Sequence, residues 1–183
     1  MSGAVGKIRR AGFADIEAIY EIIRENLKEL IPRSYPDLLQ NFDRFLVYER
    51  DRKLLGVISW RVLPVLNLKR PDRALEVVSF SVRRGAKRQG IGSALLKRML
   101  RELAAYRPDR ILVLTFYPKY FARFGFRETS KARLYPKIYL GCIECTKYRS
   151  PLTCPEVAME IRLSRRRARA KKGTRAPARR HSK

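Results

Sequence analysis

One segment combines a strand end, a basic turn and a helix start in the order that phosphate binding requires. It runs from Val82 to Ala94 and contains four basic side chains and three glycines. The free backbone N–H groups and the positive dipole end of a helix N-terminus attract pyrophosphate. Gly90 and Gly92 have no Cβ, so the backbone can approach a ligand closely there. The segment predicts a phosphate site, although its spacing alone also fits an ordinary basic turn.

The same residues resemble a known family motif. Lys87-Arg88-Gln89-Gly90-Ile91-Gly92 is similar to the acetyl-CoA motif R/Q-x-x-G-x-G/A of the GCN5-related N-acetyltransferases, with Lys87 where Arg or Gln is usual. Further along, the block Tyr120–Phe126 resembles the family signature Y/F-x-x-x-G-F. The resemblance covers roughly residues 7 to 133. It implies direct transfer of an acetyl group from acetyl-CoA to a primary amine, without an acyl-enzyme.

The resemblance also implies a fold and a set of donor contacts. The fold is α/β (α+β), a single domain whose mixed central sheet is splayed around the acetyl-CoA site and flanked by helices. We assign residues 1–162 to this domain, including a Cys-containing extension at 135–162, and residues 163–183 to a basic disordered tail. The implied donor-binding residues are Phe80, Ser81, Val82, Lys87, Arg88, Gln89, Gly90, Ile91, Gly92 and Ser93. Arg83 and Arg84 also lie where they could meet phosphates.

Three residues are candidates for proton transfer. Glu76 precedes Val82 by six residues on the central strand, where several family members carry a catalytic Glu, and it is the candidate general base. Many members place a Tyr where this chain has Phe121. The neighbouring Tyr120 and Tyr117 are therefore the candidates for protonating the leaving thiolate, which could also leave unassisted.

A narrower resemblance concerns the acceptor. Leu30-Ile31-Pro32-Arg33-Ser34 is similar to the L-x-P-R-S segment of N-acetylglutamate synthase-like members. It implies that Arg33 and Ser34 bind an amino-acid acceptor such as glutamate, because a guanidinium can hold a carboxylate with two hydrogen bonds. Val78 stands where such synthases often have Arg. Two alternatives therefore remain, a protein or polyamine N-acetyltransferase and a nucleic-acid-associated acetyl-CoA-binding protein.

The three cysteines, Cys142, Cys145 and Cys154, form a C-x2-C-x8-C pattern within the extension. A close Cys pair is typical of zinc sites, but zinc prefers four ligands. The fourth would have to be His181, Glu144, Glu156 or water. Reduced buried thiols and a disulfide are the other interpretations that the spacing leaves open.

Charge dominates the composition. The net charge is +25, and ten of the 42 Lys and Arg residues lie between Ser164 and Lys183, where there is no Asp or Glu. Such a tail is expected to be disordered alone and to bind nucleic acid or acidic partners without sequence preference, since it has no aromatic residue for stacking. A solubilising end is the other interpretation.

No apolar run is long enough for a membrane span and no secretory signal is visible, so we expect a cytoplasmic protein. A homodimer is an open alternative.

The predicted elements place these residues. Apolar spacing from Ile16 to Leu30 predicts an amphipathic helix that Pro32 ends, and a short helix is expected after Ser34. A hairpin, a third strand, a long helix, a buried strand and a short helix follow, with expected bounds of 45–49, 54–63, 74–82, 90–106, 111–116 and 118–124. The strand–loop–helix–strand portion is a crossover unit that brings the glycine loop to the end of the sheet.

Overall fold

A seven-stranded mixed sheet organises the chain. The computed structural model describes residues 6–64, 69, 72–134, 138, 142, 145, 147–148, 150–151 and 153–163. The strands are β1 (Lys7–Arg10), β2 (Phe45–Arg50), β3 (Lys53–Val62), β4 (Ala74–Val82), β5 (Arg110–Thr115), β6 (Arg127–Glu128) and β7 (Val157–Arg162). The α-helices are α1 (Ile16–Arg24), α2 (Tyr35–Asn41), α3 (Ile91–Ala105) and α4 (Pro118–Ala122). The order in the sheet is β1-β2-β3-β4-β5-β7-β6. The predicted α/β architecture is confirmed.

Each face of the sheet is covered by a different set of elements. The α3 face is built around four fully buried residues of that helix, Leu95, Leu96, Met99 and Leu103. On the opposite face α1 packs through Ile19, Ile22 and Ile23 onto strand residues that include Val47 and Val57. Truncating one such Leu or Ile to Ala typically costs about 2–5 kcal/mol, so these two contacts fix how α1 and α3 sit on the sheet.

The predicted hairpin is present, and its turn explains its shape. β2 and β3 pair antiparallel from Phe45↔Ser59 to Arg50↔Lys53. The two turn residues, Asp51 and Arg52, both have positive φ, at 52° and 58°. Two consecutive left-handed residues match the right-handed twist of the flanking strands. The short acidic–basic turn therefore closes the hairpin without a glycine.

The first helix is shorter than its apolar pattern predicts. It ends at Arg24, and the chain continues in turns through Leu30 rather than in helix. Buried Asn26 accounts for the break, because its Nδ2 donates to the Ile22 carbonyl over 2.9 Å, the oxygen that a continuing helix would use. An Asn side chain that competes for backbone partners in this way favours turns over helix.

Besides the two-residue β6, two strands of the sheet are absent from the sequence-based prediction, β1 and β7. β1 is short and rich in Arg, and it pairs with β2 at the edge of the sheet. β7 lies in the extension and pairs antiparallel with β5 over six positions, from Arg110↔Arg162 to Thr115↔Val157. Charged residues interrupt the alternation of both strands, and their partners are distant in sequence. The chain's described helices include none that is long and apolar enough to cross a membrane.

Candidate active site

The two central strands separate partway along their length. β4 and β5 run parallel and pair only at Ala74↔Arg110, Leu75↔Ile111 and Glu76↔Leu112. Beyond that point β4 continues to Val82, while β5 pairs to Thr115 with β7 on its other side. The strand edges that diverge after Glu76 and Leu112 face a slot, and backbone groups along it can serve a ligand.

A bulge in β4 shapes one wall of this slot. Ser79 has a φ of +51°, and the β3–β4 register shifts between Val57 and Ser59. An extra residue in one strand re-aims the side chains that follow it. Phe80 accordingly joins the α3-side core, with its ring centroid 6.0 Å from that of Tyr120 and 6.0 Å from that of Phe121.

The glycine loop delivers the chain to the start of α3 as predicted. Arg88 and Gly90 both have positive φ, 66° and 80°, and Gly90 is the N-cap residue of α3. A first-turn residue of a helix has no intrahelical partner for its N–H, so Ile91, Gly92 and Ser93 present donors at the mouth of the slot. No carboxylate lies in this first turn. The geometry suits an anion.

The loop's arginines do not all face this anion site. Arg83 donates to Glu21 Oε2 over 2.9 Å and also pairs with Glu25. Arg84 donates to the Glu25 carbonyl over 2.8 Å. Both guanidinium groups therefore fasten the loop to α1, and their contact with phosphates stays a prediction.

The remaining predicted donor contacts have varied surroundings. Gln89 accepts a hydrogen bond from Arg50 over 2.8 Å, so its side chain supports the loop from the hairpin side. The Lys87 ammonium is 43% exposed and lies 4.0 Å from the Glu29 carboxylate. Ser81 is buried, with its hydroxyl 3.5 Å from the Ile22 carbonyl. Lys87 and Arg88, both exposed, are thus the loop cations that can turn toward a ligand.

Glu76 lies at the closed end of the slot in a charged cluster. Its side chain is 2% exposed, and its Oε2 accepts from Arg61 Nε over 2.6 Å. Arg33 approaches the same group and forms an ion pair with Asp37. Burial lowers the pKa of the Arg33 guanidinium, Asp37 counteracts this, and nearby Arg61 lowers the pKa further. Two guanidinium groups therefore share a small, largely buried volume.

Ser34 has a structural role in this arrangement. Its Oγ accepts from the backbone N–H of Asp37 over 3.3 Å and caps α2. A Ser N-cap typically contributes about 1 kcal/mol to helix stability. Ser34 thereby fixes the start of α2, the helix in whose first turn Asp37 pairs with Arg33.

The two candidate tyrosines have different surroundings. The Tyr120 hydroxyl lies 3.5 Å from Ser93 Oγ, and burial raises the Tyr120 pKa, while Ser93 and Arg123 oppose the shift. Tyr117 is 53% exposed and donates to Glu29 Oε1 over 2.6 Å. That hydrogen bond, with smaller effects of burial and of the Glu29 charge, raises the Tyr117 pKa. Tyr120 faces the helix N-terminus, whereas Tyr117 is committed to Glu29.

An open cleft lies beyond the end of β5. Its wall combines apolar, acidic and thiol side chains, and Phe116, which directly follows β5, belongs to it. The other residues are Glu29, Ile31, Cys142, Cys145, Lys147, Tyr148, Ser150, Pro151, Cys154 and Glu156. Lys147 ties this wall to the α1–α2 connection, because its ammonium donates to the carbonyls of Leu27 and Leu30.

The cysteines line this cleft as thiols. No disulfide joins Cys142, Cys145 and Cys154, all of which the structure describes. Cys154 Sγ lies 3.6 Å from Glu156 Oε2, and burial is the main cause of its raised pKa. Within the described part of the chain, no three His, Cys, Asp or Glu side chains are grouped to hold a metal. The described residues therefore give the zinc interpretation no support; Glu144 and His181 lie outside the described ranges.

Sequence reasoning missed Arg61 and Glu29. Arg61 lies opposite Glu76 in the β3–β4 register, a relation that pairing the two predicted strands could have suggested. Glu29 was assigned to a continuing helix, which hid its position in a turn beside the glycine loop.

The basic tail at 164–183 lies outside the described residues, so its proposed contacts with nucleic acid or acidic partners remain predictions. Cytoplasmic location and a homodimer also remain predictions.

Comparison with known proteins agrees with this geometry. Residues 16–126 match the family described as acetyltransferase (GNAT). A related protein, the uncharacterized N-acetyltransferase CT2212 of Chlorobaculum tepidum, is 25% identical over 154 residues, which are 83% of this chain and 93% of the relative.

Two solved structures share the fold. Rv2747 from Mycobacterium tuberculosis, in complex with CoA and NLQ, is 24% identical with a TM-score of 0.70, over 86% of this chain and 99% of that one. N-acetylglutamate synthase from Neisseria gonorrhoeae, complexed with coenzyme A and N-acetyl-glutamate, is 23% identical with a TM-score of 0.69, over 88% of this chain and 36% of that one.

Proposed function

The chain belongs to the acetyltransferase (GNAT) family and is an acetyl-CoA-dependent N-acetyltransferase, and on that premise we propose that it acetylates the primary amine of a free amino acid such as glutamate. The observation that carries the proposal is the slot that opens where the β4–β5 register stops at Glu76↔Leu112. From the charged cluster around Glu76, β4 runs on toward the N-terminus of α3, and β5 runs on toward the cleft.

In the proposed complex the donor occupies the slot. Its pyrophosphate meets the N–H groups of Ile91, Gly92 and Ser93, and Lys87 supplies the nearest mobile positive charge. The backbone of Phe80, Ser81 and Val82 binds the pantetheine arm and the thioester oxygen. Donors fixed in place before the reaction stabilise the negative charge that develops on that oxygen.

The chemistry is a direct acyl transfer. The amine nitrogen attacks the thioester carbonyl, the C–S bond breaks, and the amine proton is lost to Glu76, directly or through a water molecule. Tyr120 gives its hydroxyl proton to the departing thiolate. Tyr117 is the weaker candidate for this step, because its hydroxyl already donates to Glu29.

The charge cluster supports an amino-acid acceptor. Arg33 and Arg61 lie close enough for Arg61 to lower the Arg33 pKa, and both are largely buried. An acceptor carboxylate would relieve this repulsion and could bind a guanidinium with two hydrogen bonds. The gonorrhoeal synthase, which shares the fold, is complexed with N-acetyl-glutamate.

A second acceptor class is supported by the cleft. Glu29 and Glu156 both line the cleft. Two carboxylates favour an amine that carries further positive charge, such as a polyamine or a protein lysine. This candidate does not use Arg33. In the first class an additional negative charge on the acceptor should therefore favour turnover, and in the second class an additional positive charge should favour it.

Free-thiol release from acetyl-CoA tests the proposal. Purified protein is assayed with each amino acid, including L-glutamate, and with spermidine and a lysine-containing peptide. Turnover with amino acids, most of all with those bearing a second carboxylate, supports the proposed acceptor. Turnover confined to spermidine or the peptide would replace it with the second class, and acetyl-CoA binding without any turnover would refute both.

A further inference from the structure

One carboxylate lies between the glycine loop and the cleft. Glu29 belongs to the turn after α1, where its N–H donates to the Asn26 carbonyl over 2.9 Å. Its side chain lines the cleft together with Phe116. The same side chain contacts both Tyr117, which follows β5 closely, and Lys87 of the loop. Glu29 thus faces the donor side and the acceptor side at once.

The contacts of Glu29 leave part of the carboxylate available. Oε1 accepts from the Tyr117 hydroxyl over 2.6 Å and lies 4.0 Å from the Lys87 ammonium. The hydrogen bonds among the described residues do not engage Oε2. A carboxylate oxygen can accept up to two hydrogen bonds, so Oε2 can take an ammonium without displacing Tyr117.

The Lys87 contact is weak enough to be exchanged. The side chains of Lys87 and Glu29 are 43% and 36% exposed, and their separation is at the limit of an ion pair. Such exposed pairs stabilise a protein little. A pyrophosphate on the α3 N-terminus carries more negative charge than one carboxylate, so it should attract Lys87 away from Glu29. Donor binding would then leave the Glu29 charge uncompensated at the cleft.

We propose that Glu29 binds the ammonium group of the acceptor and that occupancy of the donor site strengthens this binding. The proposal rests on the proposed function and adds one step to it: the acceptor reaches Glu76 by way of the cleft, where Glu29 holds its amine as an ammonium before the proton is lost. The Tyr117 hydrogen bond holds the carboxylate in position, and Lys87 masks it until the donor arrives. Glu29 is then an acceptor-binding residue, and occupancy of the donor site decides whether Lys87 compensates its charge.

A binding measurement separates this proposal from turnover. Wild-type protein is loaded with CoA, which cannot react, and titrated calorimetrically with L-glutamate and with L-lysine. We expect at least one of them to bind, and to bind more weakly when CoA is omitted. Glu29→Gln keeps the shape of the side chain but removes its charge, and it should weaken that binding about tenfold or more.

Matched variants identify the cause. Glu21→Gln makes the same change on α1 at an exposed carboxylate whose only ion pair among the described residues is with Arg83, and it should leave acceptor binding unaltered. Lys87→Gln should reduce the difference between CoA-loaded and CoA-free protein. Tyr117→Phe removes the hydrogen bond but keeps the Glu29 charge, so it should weaken binding less than Glu29→Gln does.

Three results would overturn the proposal. These are unchanged acceptor binding in Glu29→Gln, equal losses in Glu29→Gln and Glu21→Gln, or no binding of either amino acid to CoA-loaded wild type. The proposed function fails separately, by absence of thiol release with amino acids. Turnover with an unaltered acceptor KM in Glu29→Gln would refute the role of Glu29 and leave the proposed function standing.

Discussion

The hydroxyl oxygen of Tyr120 lies 3.5 Å from Oγ of Ser93, which places α4 against the first turn of α3. The rings of Phe121 and Phe124 hold Tyr120 there, with centroids 5.4 and 5.3 Å away. Arg123 lies 4.9 Å over the same ring. A hydroxyl held by packing at the mouth of the slot can meet the sulfur end of a bound thioester, and this relation leads to the first prediction.

Tyr120→Phe should lower kcat by about 10²-fold, the low end for loss of a general acid, with little change in acetyl-CoA affinity. Burial raises the Tyr120 pKa, so the wild-type hydroxyl keeps its proton past its ordinary value of 10.0. The alkaline fall in kcat that reports this acid should therefore lie above pH 10 and disappear in the variant. Tyr106→Phe, at an exposed tyrosine stacked on Trp60, is the control. Unchanged kcat in Tyr120→Phe would show that the thiolate leaves unassisted.

Gly92→Ala should weaken acetyl-CoA binding about tenfold or more. A Cβ at this position would lie 3.1 Å from the Tyr120 hydroxyl and 3.3 Å from Phe80 Cζ, so both rings must shift at the slot. Gly85→Ala is the matched control, since a Cβ there meets nothing within 4 Å. Calorimetric titration of both variants with acetyl-CoA gives the comparison. Equal affinities would mean that the donor does not pass between Phe80 and the start of α3.

Glu76→Gln should lower kcat by about 10²-fold or more while acetyl-CoA still binds, because an amide cannot take the amine proton. It should also destabilise the fold by roughly 1–3 kcal/mol, since Arg61 loses a charged partner. Glu160→Gln separates the two effects. Glu160 is a buried carboxylate on β7 that pairs with Arg110 and Arg162, and it lies in register with Leu112 like Glu76. Urea unfolding should show similar losses, with activity kept only in Glu160→Gln.

Asp15→Asn should destabilise the chain by about 1–2 kcal/mol at pH 7. Asp15 accepts from Arg9 over 2.6 and 2.8 Å and from the Gly12 N–H over 2.8 Å. The Arg9 hydrogen bonds are the main reason that the Asp15 pKa falls below its ordinary 3.8, with burial opposing them. The stabilisation is therefore complete above pH 3.8 and is lost as the pH falls through the lower folded pKa.

Urea midpoints of wild type and Asp15→Asn, measured from pH 7 down to pH 2, test the sign of this dependence. The two curves should converge at the acidic end. Asp43→Asn, at an exposed aspartate, should follow wild type throughout. A constant difference at every pH would mean that the Asp15 charge contributes nothing.

The sequence predicted what local patterns encode. Alternation and turn residues located β2, β3 and β4, and the glycine spacing placed the N-terminus of α3 within one residue. It could not predict partners that depend on distant pairing. β7 is defined by its pairing with β5, which is distant in sequence. Arg83 points to α1 because it forms ion pairs with Glu21 and Glu25 there.

The candidate site divides in the same way. Motif spacing placed the glycine loop at the start of α3, because the backbone conformation at Gly90 is a local property. Side-chain roles were less predictable. The hydroxyl of Ser34 is used as a helix cap, and Glu29 entered the site only because Asn26 ended α1 early. The surroundings of Glu29 depend on long-range contacts with Tyr117 and Lys87, whereas the role of Ser34 is set by a local hydrogen bond to Asp37.

The short β4–β5 register has a mechanical consequence. Only three residue pairs join the half of the sheet that carries α1 and α2 to the half that carries α4 and the cysteine cleft, so this seam is a weak line through the middle of the sheet. A donor lying between the strands would bridge the seam with hydrogen bonds of its own. Amide hydrogen exchange along residues 77–82 should then slow when acetyl-CoA is added, with the substrate acting as a missing strand that holds the two halves at a fixed angle.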